Sequence, residues 1–296
     1  MLYLCFASLL AITPSLALSI THRSAVATTR FSQRSIGYGS TETVSNSFAL
    51  KWYELDSTEG LATVQGDPSA FYNCAGPMMN DYPSITEWLS FDKMWEINLP
   101  HITSVNSQAG SNFPSLIHDA IQKVSQDSKV DARLILAVVL QESAGNVNVA
   151  CTDVNHCGLM QAPPGSGSFD AKDPSGSILN MIQDGVYGID PLRAVQASEN
   201  LPHGAPGILQ YLNGGPDDLY WIDSQYWGNP YAAVHLYNGG TISSQDLTRE
   251  EYGNPKTKVY ANDITSRLTG WDGAPAGCVA SVKCPGALRT ADSCGS

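Results

Sequence analysis

The sequence predicts a mainly α-helical fold, and two segments carry that prediction. From Asp131 to Gly145, about a dozen residues form a run that is apolar on nearly every side, which is typical of a helix buried in a core. From Pro114 to about Asp127, apolar side chains recur on one face at helical spacing. Strand-like composition is confined to the part of the chain before residue 114, and no internal repeat is visible. Helices are therefore expected to dominate from there onward.

Further helices are expected on both sides of this pair. Ser175 or Ser177 can cap a helix through residues 178–189, and shorter helices are predicted at about 205–212, 229–238 and 257–269. Residues 213–228 are rich in Gly, Asp, Tyr and Trp and predict a loop. Residues 85–97 place Trp88, Phe91, Met94 and Trp95 at helical intervals, and this stripe indicates core packing in preference to a sugar-binding platform.

The core helix carries one carboxylate near its end, Glu142. Asp131 can cap the start of this helix and Gly145 suits its end, so Glu142 falls in the last turn. The negative end of the helix dipole and the apolar neighbours both disfavour the ionised carboxylate. Both effects raise the pKa of the side chain, as a general acid requires. The alternative is a solvated carboxylate with no chemical role.

Four short motifs follow one another along the chain. Glu142-Ser143 ends the core helix, GLMQ occupies 158–161, LYNGG occupies 236–240 and KTKVY occupies 256–260. In this order, over residues 114–271, they resemble the lytic transglycosylase (SLT) and goose-type lysozyme family. The resemblance implies a lysozyme-like (α+β) fold with a catalytic domain at 114–272. Residues 48–113 would form an irregular or short-strand extension packed on it.

The resemblance also implies a catalytic role for three residues. Glu142 would protonate the glycosidic oxygen, and Tyr260 would hydrogen-bond toward Glu142. Lytic transglycosylases use a single Glu as acid and then base to close a 1,6-anhydro ring, whereas goose-type lysozymes hydrolyse with an Asp before GLMQ. Asp153, 11 residues after Glu142 and five before Gly158, lies close to that place. The alternative for Asp153 is an Asx-turn, and no second Asp follows GLMQ as in goose-type enzymes.

Five more residues are expected to bind substrate by the same resemblance. Ser143 would hydrogen-bond near the reacting sugar, while Met160 and Gln161 would line one wall of the glycan cleft. Tyr237 and Asn238 would close the opposite wall. For Met160 and Tyr237, core packing remains an equal alternative.

The ends of the chain and its cysteines predict a secreted protein. Residues 1–17 carry no charge and end in a small-x-small pattern, as a signal peptide does, and the Ser- and Thr-rich residues 18–47 predict a disordered linker or propeptide. Removing Cys5 leaves six cysteines, which favours three disulfides. Cys151 and Cys157 could close a small loop, and residues 273–296 would form a disulfide-pinned tail. Zinc is the alternative, but the spacings do not match metal-binding patterns.

The net charge of the chain argues against a nucleic-acid partner. With 28 acidic and 16 basic residues the net charge is −12, which repels nucleic-acid phosphates. No membrane partner, cofactor or metal is expected, and a monomer is expected. The expected substrate is peptidoglycan or another N-acetylhexosamine glycan. Chitin is the nearest rival substrate, and a non-catalytic glycan-binding protein is the rival of another class.

Overall fold

The computed structural model describes residues 42–53, 75–107, 112–152, 155–197, 201, 203–214 and 224–273. Eight α-helices lie in these ranges: α1 (Phe91–Val105), α2 (Phe113–Ser128), α3 (Ala132–Ser143), α4 (Pro174–Tyr187), α5 (Pro191–Ala197), α6 (Ile208–Asn213), α7 (Pro230–Gly239) and α8 (Thr257–Thr269). Short 3-10 helices occur at Ala49–Trp52, Met79–Asp81, Ile85–Glu87 and Ser224–Tyr226. Helical residues make up 55% of the described residues, and β-pairing there is limited to isolated bridges. The mainly α-helical class predicted from the sequence is therefore confirmed.

Helix α3 runs through the core of the molecule. Every residue from Ala132 to Leu140 is buried, which explains why its sequence is apolar on all sides. Helices α2 and α8 both pack against α3, and α8 also packs against α7. The last turn of α3 is thereby placed beside α8, which brings Glu142 close to the motif at residues 256–260.

The boundaries of two predicted helices shift for local reasons. Helix α3 ends at Ser143, and its C-cap is Ala144 with φ of 54°. Gly145 follows with φ of 74°, and a Cβ added there would lie 3.0 Å from Ile102 of α1. Helix α4 is capped by Asp173, whose carboxylate accepts the Gly176 N–H at 3.0 Å. The predicted caps Ser175 and Ser177 are wrong, because Pro174 takes the first helical position and the helix begins earlier in the chain than predicted.

The described part of the N-terminal extension contains helical turns and irregular backbone in place of short strands. Trp52 lies in a 3-10 helix, and residues 54–74 of the extension lie outside the described residues. Trp88, Phe91 and Met94 are fully buried, as the core-packing interpretation predicted. Helix α1 also extends beyond the predicted 85–97 stripe, to Val105.

Backbone hydrogen bonds attach this extension to the helices that follow it. The Leu89 N–H donates to the Leu268 carbonyl at 2.9 Å, and the Ala75 N–H donates to the buried Asn262 side chain of α8 at 2.7 Å. The described end of the predicted linker is attached in the same way, since the buried Val44 donates its N–H to the Ser128 carbonyl at 2.7 Å. The extension therefore shares one hydrophobic core with α2, α3 and α8.

Several predictions fall outside the described residues. These are the signal peptide at 1–17, most of the linker at 18–47, Asp153, and Cys5, Cys74, Cys278, Cys284 and Cys294. Among the helices that the structure does describe, none is long and apolar enough to cross a membrane.

Candidate active site

Glu142 lies in the last turn of α3 and keeps part of its side chain exposed. Burial of the carboxyl group raises its pKa from 4.5 to about 7, because the ionised form loses solvation. A hydrogen bond from the Tyr260 hydroxyl to Oε1 and the positive charge of Lys256 lower the pKa, but by less. Glu142 is therefore protonated in a large fraction of molecules near neutral pH while it remains reachable from solvent.

Two phenols flank this carboxyl group. The pKa values of Tyr260 and Tyr237 are raised well above 10 by burial and by the negative charge of Glu142. Both hydroxyls therefore stay protonated and act as hydrogen-bond donors. Tyr260 donates to Glu142, and Tyr237 donates to the Met160 carbonyl at 2.8 Å. The structure thus brings the predicted residues of α3, α7 and α8 together with the turn at 158–161.

A polar clamp that sequence reasoning missed fixes the residue before Glu142. The Gln141 amide donates to the Asp263 carboxylate at 3.2 Å and accepts from Nε of Arg267 at 2.9 Å. Asp263 and Arg267 follow Tyr260 by three and seven residues on α8, so the three side chains share one face of that helix. This spacing along the sequence could have indicated that the three side chains lie on one face of a helix. The clamp sets the rotation of α3 against α8 and thereby the meeting of Glu142 with Tyr260.

Ser143 is 6% exposed and faces the interior. Its hydroxyl lies 2.9 Å from the Val139 carbonyl and 2.8 Å from the Leu159 carbonyl, and it accepts the Gly145 N–H at 3.2 Å. These contacts join the end of α3 to the turn at 158–161. The structure therefore places Ser143 behind the site, where it supports the turn, and not at a surface that a sugar could contact.

Met160 is also buried, and it packs against α4. A Cβ added to Gly185 would lie 2.5 Å from the Met160 sulfur, so the glycine permits this close approach. Of the two alternatives that the sequence left open for Met160, the structure supports core packing for the side chain. Its backbone carbonyl, which accepts from Tyr237, is the part that faces the site.

Gln161 and Asn238 each hold a buried side-chain oxygen with no hydrogen-bond partner among the described residues. The Gln161 amide donates to the carbonyls of Gly158 at 3.0 Å and Ala150 at 3.3 Å, which leaves Oε1 unpaired. The Asn238 side chain follows Tyr237 in the last turn of α7, and its Oδ1 is the unpaired atom. Buried acceptors of this kind are satisfied by a donor from water or from a bound ligand.

The loop between α3 and the 158–161 turn is closed by a disulfide. Cys151 and Cys157 are bonded, which confirms that predicted pair. Cys157 also exchanges two backbone hydrogen bonds with Ala162, at 3.1 and 3.0 Å. Asp153, the predicted second carboxylate, lies inside this loop and outside the described residues. Within the described ranges, no group of His, Cys, Asp or Glu side chains could hold a metal ion.

No family model, curated protein or solved structure matches this chain. The arrangement of the residues around Glu142 is therefore the main support for a function.

Proposed function

We propose that the chain is a glycan-cleaving enzyme that acts on the β-1,4 bond between N-acetylmuramic acid and N-acetylglucosamine in peptidoglycan. One observation carries the proposal. The Glu142 carboxyl is accessible, has a pKa of about 7 and is held by the Tyr260 hydroxyl. A carboxylic acid that stays protonated near neutral pH is what the departing oxygen of a glycosidic bond needs. The resemblance of the four motifs to lytic transglycosylases and goose-type lysozymes points to the same chemistry.

The neighbours of Glu142 favour a cycle of proton donation and return. Protonated Glu142 gives its proton to the glycosidic oxygen as the bond to the anomeric carbon breaks. The carboxylate that remains is stabilised by the Tyr260 hydroxyl and by the positive field of Lys256. It can then accept a proton from the attacking hydroxyl or water, which restores the acid.

The two unpaired acceptors favour an N-acetylated sugar. Gln161 Oε1 and Asn238 Oδ1 are buried and lack a donor among the described residues, and an acetamido N–H supplies one. Gln161 belongs to the turn whose Met160 carbonyl accepts from Tyr237, the residue next to Asn238. Glycans with acetamido groups are therefore the proposed substrates, and the lactyl group separates peptidoglycan from chitin.

The product decides between the two modes of cleavage. With Glu142 acting alone, the 6-hydroxyl of N-acetylmuramic acid attacks the anomeric carbon, and its proton returns to Glu142. Hydrolysis requires a positioned water, and Asp153 is the proposed residue for that role. We propose muramidase or lytic transglycosylase activity, which one product analysis distinguishes.

The test is mass spectrometry of purified peptidoglycan after incubation with the wild type and with Glu142→Gln. Gln keeps the shape of the side chain and an acceptor for the Tyr260 hydroxyl, so it isolates the lost proton. A product one water lighter than the reducing muropeptide indicates transglycosylase chemistry, and reducing ends indicate hydrolysis and make Asp153→Asn the next variant. Cleavage of chitin oligomers alone would favour the chitinolytic alternative. If neither glycan is cut, the enzyme proposal is rejected and glycan binding without turnover becomes the better reading.

A further inference from the structure

A cavity of about 420 Å³ lies outside the candidate active site, between the loop after Gln161 and helices α4 and α5. Most of the residues that line it carry a polar side chain: Gly167, Ser168, Asp170, Asp173, Ser177, Asn180 and Arg193 line the cavity, and glycine is the exception. This volume is within the range of pockets that bind small ligands. None of the proposed catalytic or substrate-binding residues lines it, so the cavity is a separate site from the one around Glu142.

Arg193 contributes hydrogen-bond donors in a fixed orientation. Its two terminal nitrogens bind the two oxygens of the buried Asp184 at 2.7 and 2.6 Å, and Asp184 also accepts the Gly167 N–H at 2.8 Å. The guanidinium plane is therefore held by a bidentate pair. Its Nε–H and the outer hydrogens of the terminal nitrogens have no partner among the described residues, and the side chain is 42% exposed. These N–H groups remain available to an acceptor in the cavity.

Two carboxylates give the cavity an excess of negative charge. Asp170 accepts the Lys172 N–H at 2.8 Å and Asp173 accepts the Gly176 N–H at 3.0 Å, each through Oδ1. No ion pair to either carboxylate is found in the described part of the chain. Because Asp184 already balances the charge of Arg193, these two charges are uncompensated. A ligand that carries an ammonium group would compensate them.

The cavity adjoins the loop that leads to the candidate active site. Ser168 Oγ lies 3.6 Å from the Cys151 sulfur. A Cβ added to Gly158 would lie 2.7 Å from the Gly167 carbonyl oxygen, so these two glycines are in close contact. Gly158 is in turn bonded to Gln161, whose N–H donates to its carbonyl at 2.9 Å. A short peptide branch of three extended residues reaches about 10 Å, so a branch attached to a glycan at the site would extend toward this loop.

We propose that this cavity binds the zwitterionic end of an uncrosslinked stem peptide of peptidoglycan. Asp170 and Asp173 bind the free side-chain ammonium of its diamino acid, and Arg193 with the exposed Asn180 amide binds the adjacent carboxylate. An amino sugar would supply the ammonium but no carboxylate, so it would leave the Arg193 donors unused. The identity of the ligand rests on the proposed function, while binding to the cavity does not require catalysis.

The test measures binding of the free tripeptide L-Ala-γ-D-Glu-meso-diaminopimelate by isothermal titration calorimetry. The variant Asp170→Asn/Asp173→Asn removes both charges, and each Asn keeps the oxygen that accepts a backbone N–H. We expect this variant to bind about 10-fold more weakly than the wild type, as the loss of two partly solvated charge contacts implies. The control variant Asp92→Asn/Asp119→Asn removes two exposed charges from α1 and α2 and should bind like the wild type. Acetylating only the side-chain amine of the diaminopimelate, with the L-Ala amine left as it is, should weaken binding to the wild type by a similar factor.

Three results would overturn the proposal: no binding of the tripeptide to the wild type, equal binding by the cavity variant, or equal binding of the acetylated peptide. Cleavage of peptide-free glycan strands by the same proteins is measured in parallel. If the strands are not cut by the wild type, the proposed function fails, and that outcome is independent of tripeptide binding. If the strands are cut equally by all variants while tripeptide binding is unaffected by the substitutions, only the cavity proposal fails.

Discussion

A carboxyl group lies at each end of helix α3, and the two differ in their hydrogen-bond partners and electrostatic environment. At the start of the helix, the buried Asp131 accepts the Arg133 backbone N–H at 2.9 Å and binds the Arg133 guanidinium through both oxygens, at 2.9 and 2.8 Å. At its end, Glu142 receives a hydrogen bond from the neutral Tyr260 hydroxyl. The positive end of the helix dipole lies near Asp131 and the negative end near Glu142.

This difference separates a structural carboxylate, Asp131, from the proposed general acid, Glu142. A carboxylate paired with a buried cation contributes to the fold, because removing its partner leaves a buried charge without compensation. Partial compensation by a neutral donor leaves the charged form of Glu142 costly and its pKa near 7. The same type of side chain group can thus anchor a helix or deliver a proton, and its partners decide which.

The largest effect is expected at the chemical end. Glu142→Gln should reduce the rate of glycan cleavage by about 10³- to 10⁴-fold, because the amide cannot supply a proton. The measurement is the initial rate of product formation from peptidoglycan at pH 6. Circular dichroism of the variant should match the wild type, since Gln still accepts from Tyr260. Activity within 10-fold of the wild type would exclude Glu142 as the general acid.

The structural end should instead respond in stability. Arg133→Met leaves the Asp131 carboxylate buried without its cation and should lower the free energy of unfolding by about 4 kcal/mol, as measured by urea denaturation. The double variant Asp131→Asn/Arg133→Met also removes the buried negative charge and keeps an oxygen that caps α3. It should therefore recover part of the loss. If the single and the double variant are equally stable, the buried negative charge of Asp131 is not the cause of the lost stability.

The two ends also differ in how well the sequence predicted them. Asp131 is recognisable as a cap because an acidic residue stands directly before an apolar run, and the helix from 132 was predicted on that basis. Glu142 was also indicated by its place in the last turn of the apolar helix. Its pairing with Tyr260, 118 residues away along the chain, was expected only from the resemblance that the ordered motifs carry. Their contact depends on the packing of α8 against α3, which local pattern does not specify.

Motif membership did not reveal which way a side chain points. Ser143 and Met160 belong to the motifs yet are buried. Helix α3, which carries Ser143, is apolar on nearly every side and therefore offers no polar face from which the orientation could be deduced. Met160 lies in a turn, where helical periodicity gives no orientation. The clamp of Gln141 by Asp263 and Arg267 was missed for a related reason. Its spacing on α8 is visible in the sequence, but the partner helix is not.

Burial of Glu142 should make the free energy of unfolding depend on pH. Its pKa is about 7 in the folded protein and 4.5 in the reference state, so folding favours the protonated form. The contribution to stability is fully present below pH 4.5 and is lost as the pH rises through 7. Glu142→Gln does not titrate and should therefore gain stability over the wild type across this range, up to about 3 kcal/mol. Urea denaturation at pH 4, 5.5 and 8 checks this, and a constant difference would contradict it.

The smallest effects should come from the two groups that lower the pKa of Glu142. Tyr260→Phe removes the hydrogen bond to the carboxylate, so the pKa of Glu142 should rise above 7 and cleavage should persist to higher pH, with a maximal rate about 10-fold lower. Lys256→Met removes a positive charge at the N-cap of α8, four residues before Tyr260. It should shift the pH profile in the same direction by less, because the effect of Lys256 on the pKa of Glu142 is the weaker one. Lys258→Met is the matched control, since Lys258 pairs with Glu250 at 2.7 Å and should leave the profile unchanged. A downward shift in either test variant would show that these groups do not stabilise the ionised form of Glu142, and the contrast with the fully paired Asp131 would then need another explanation.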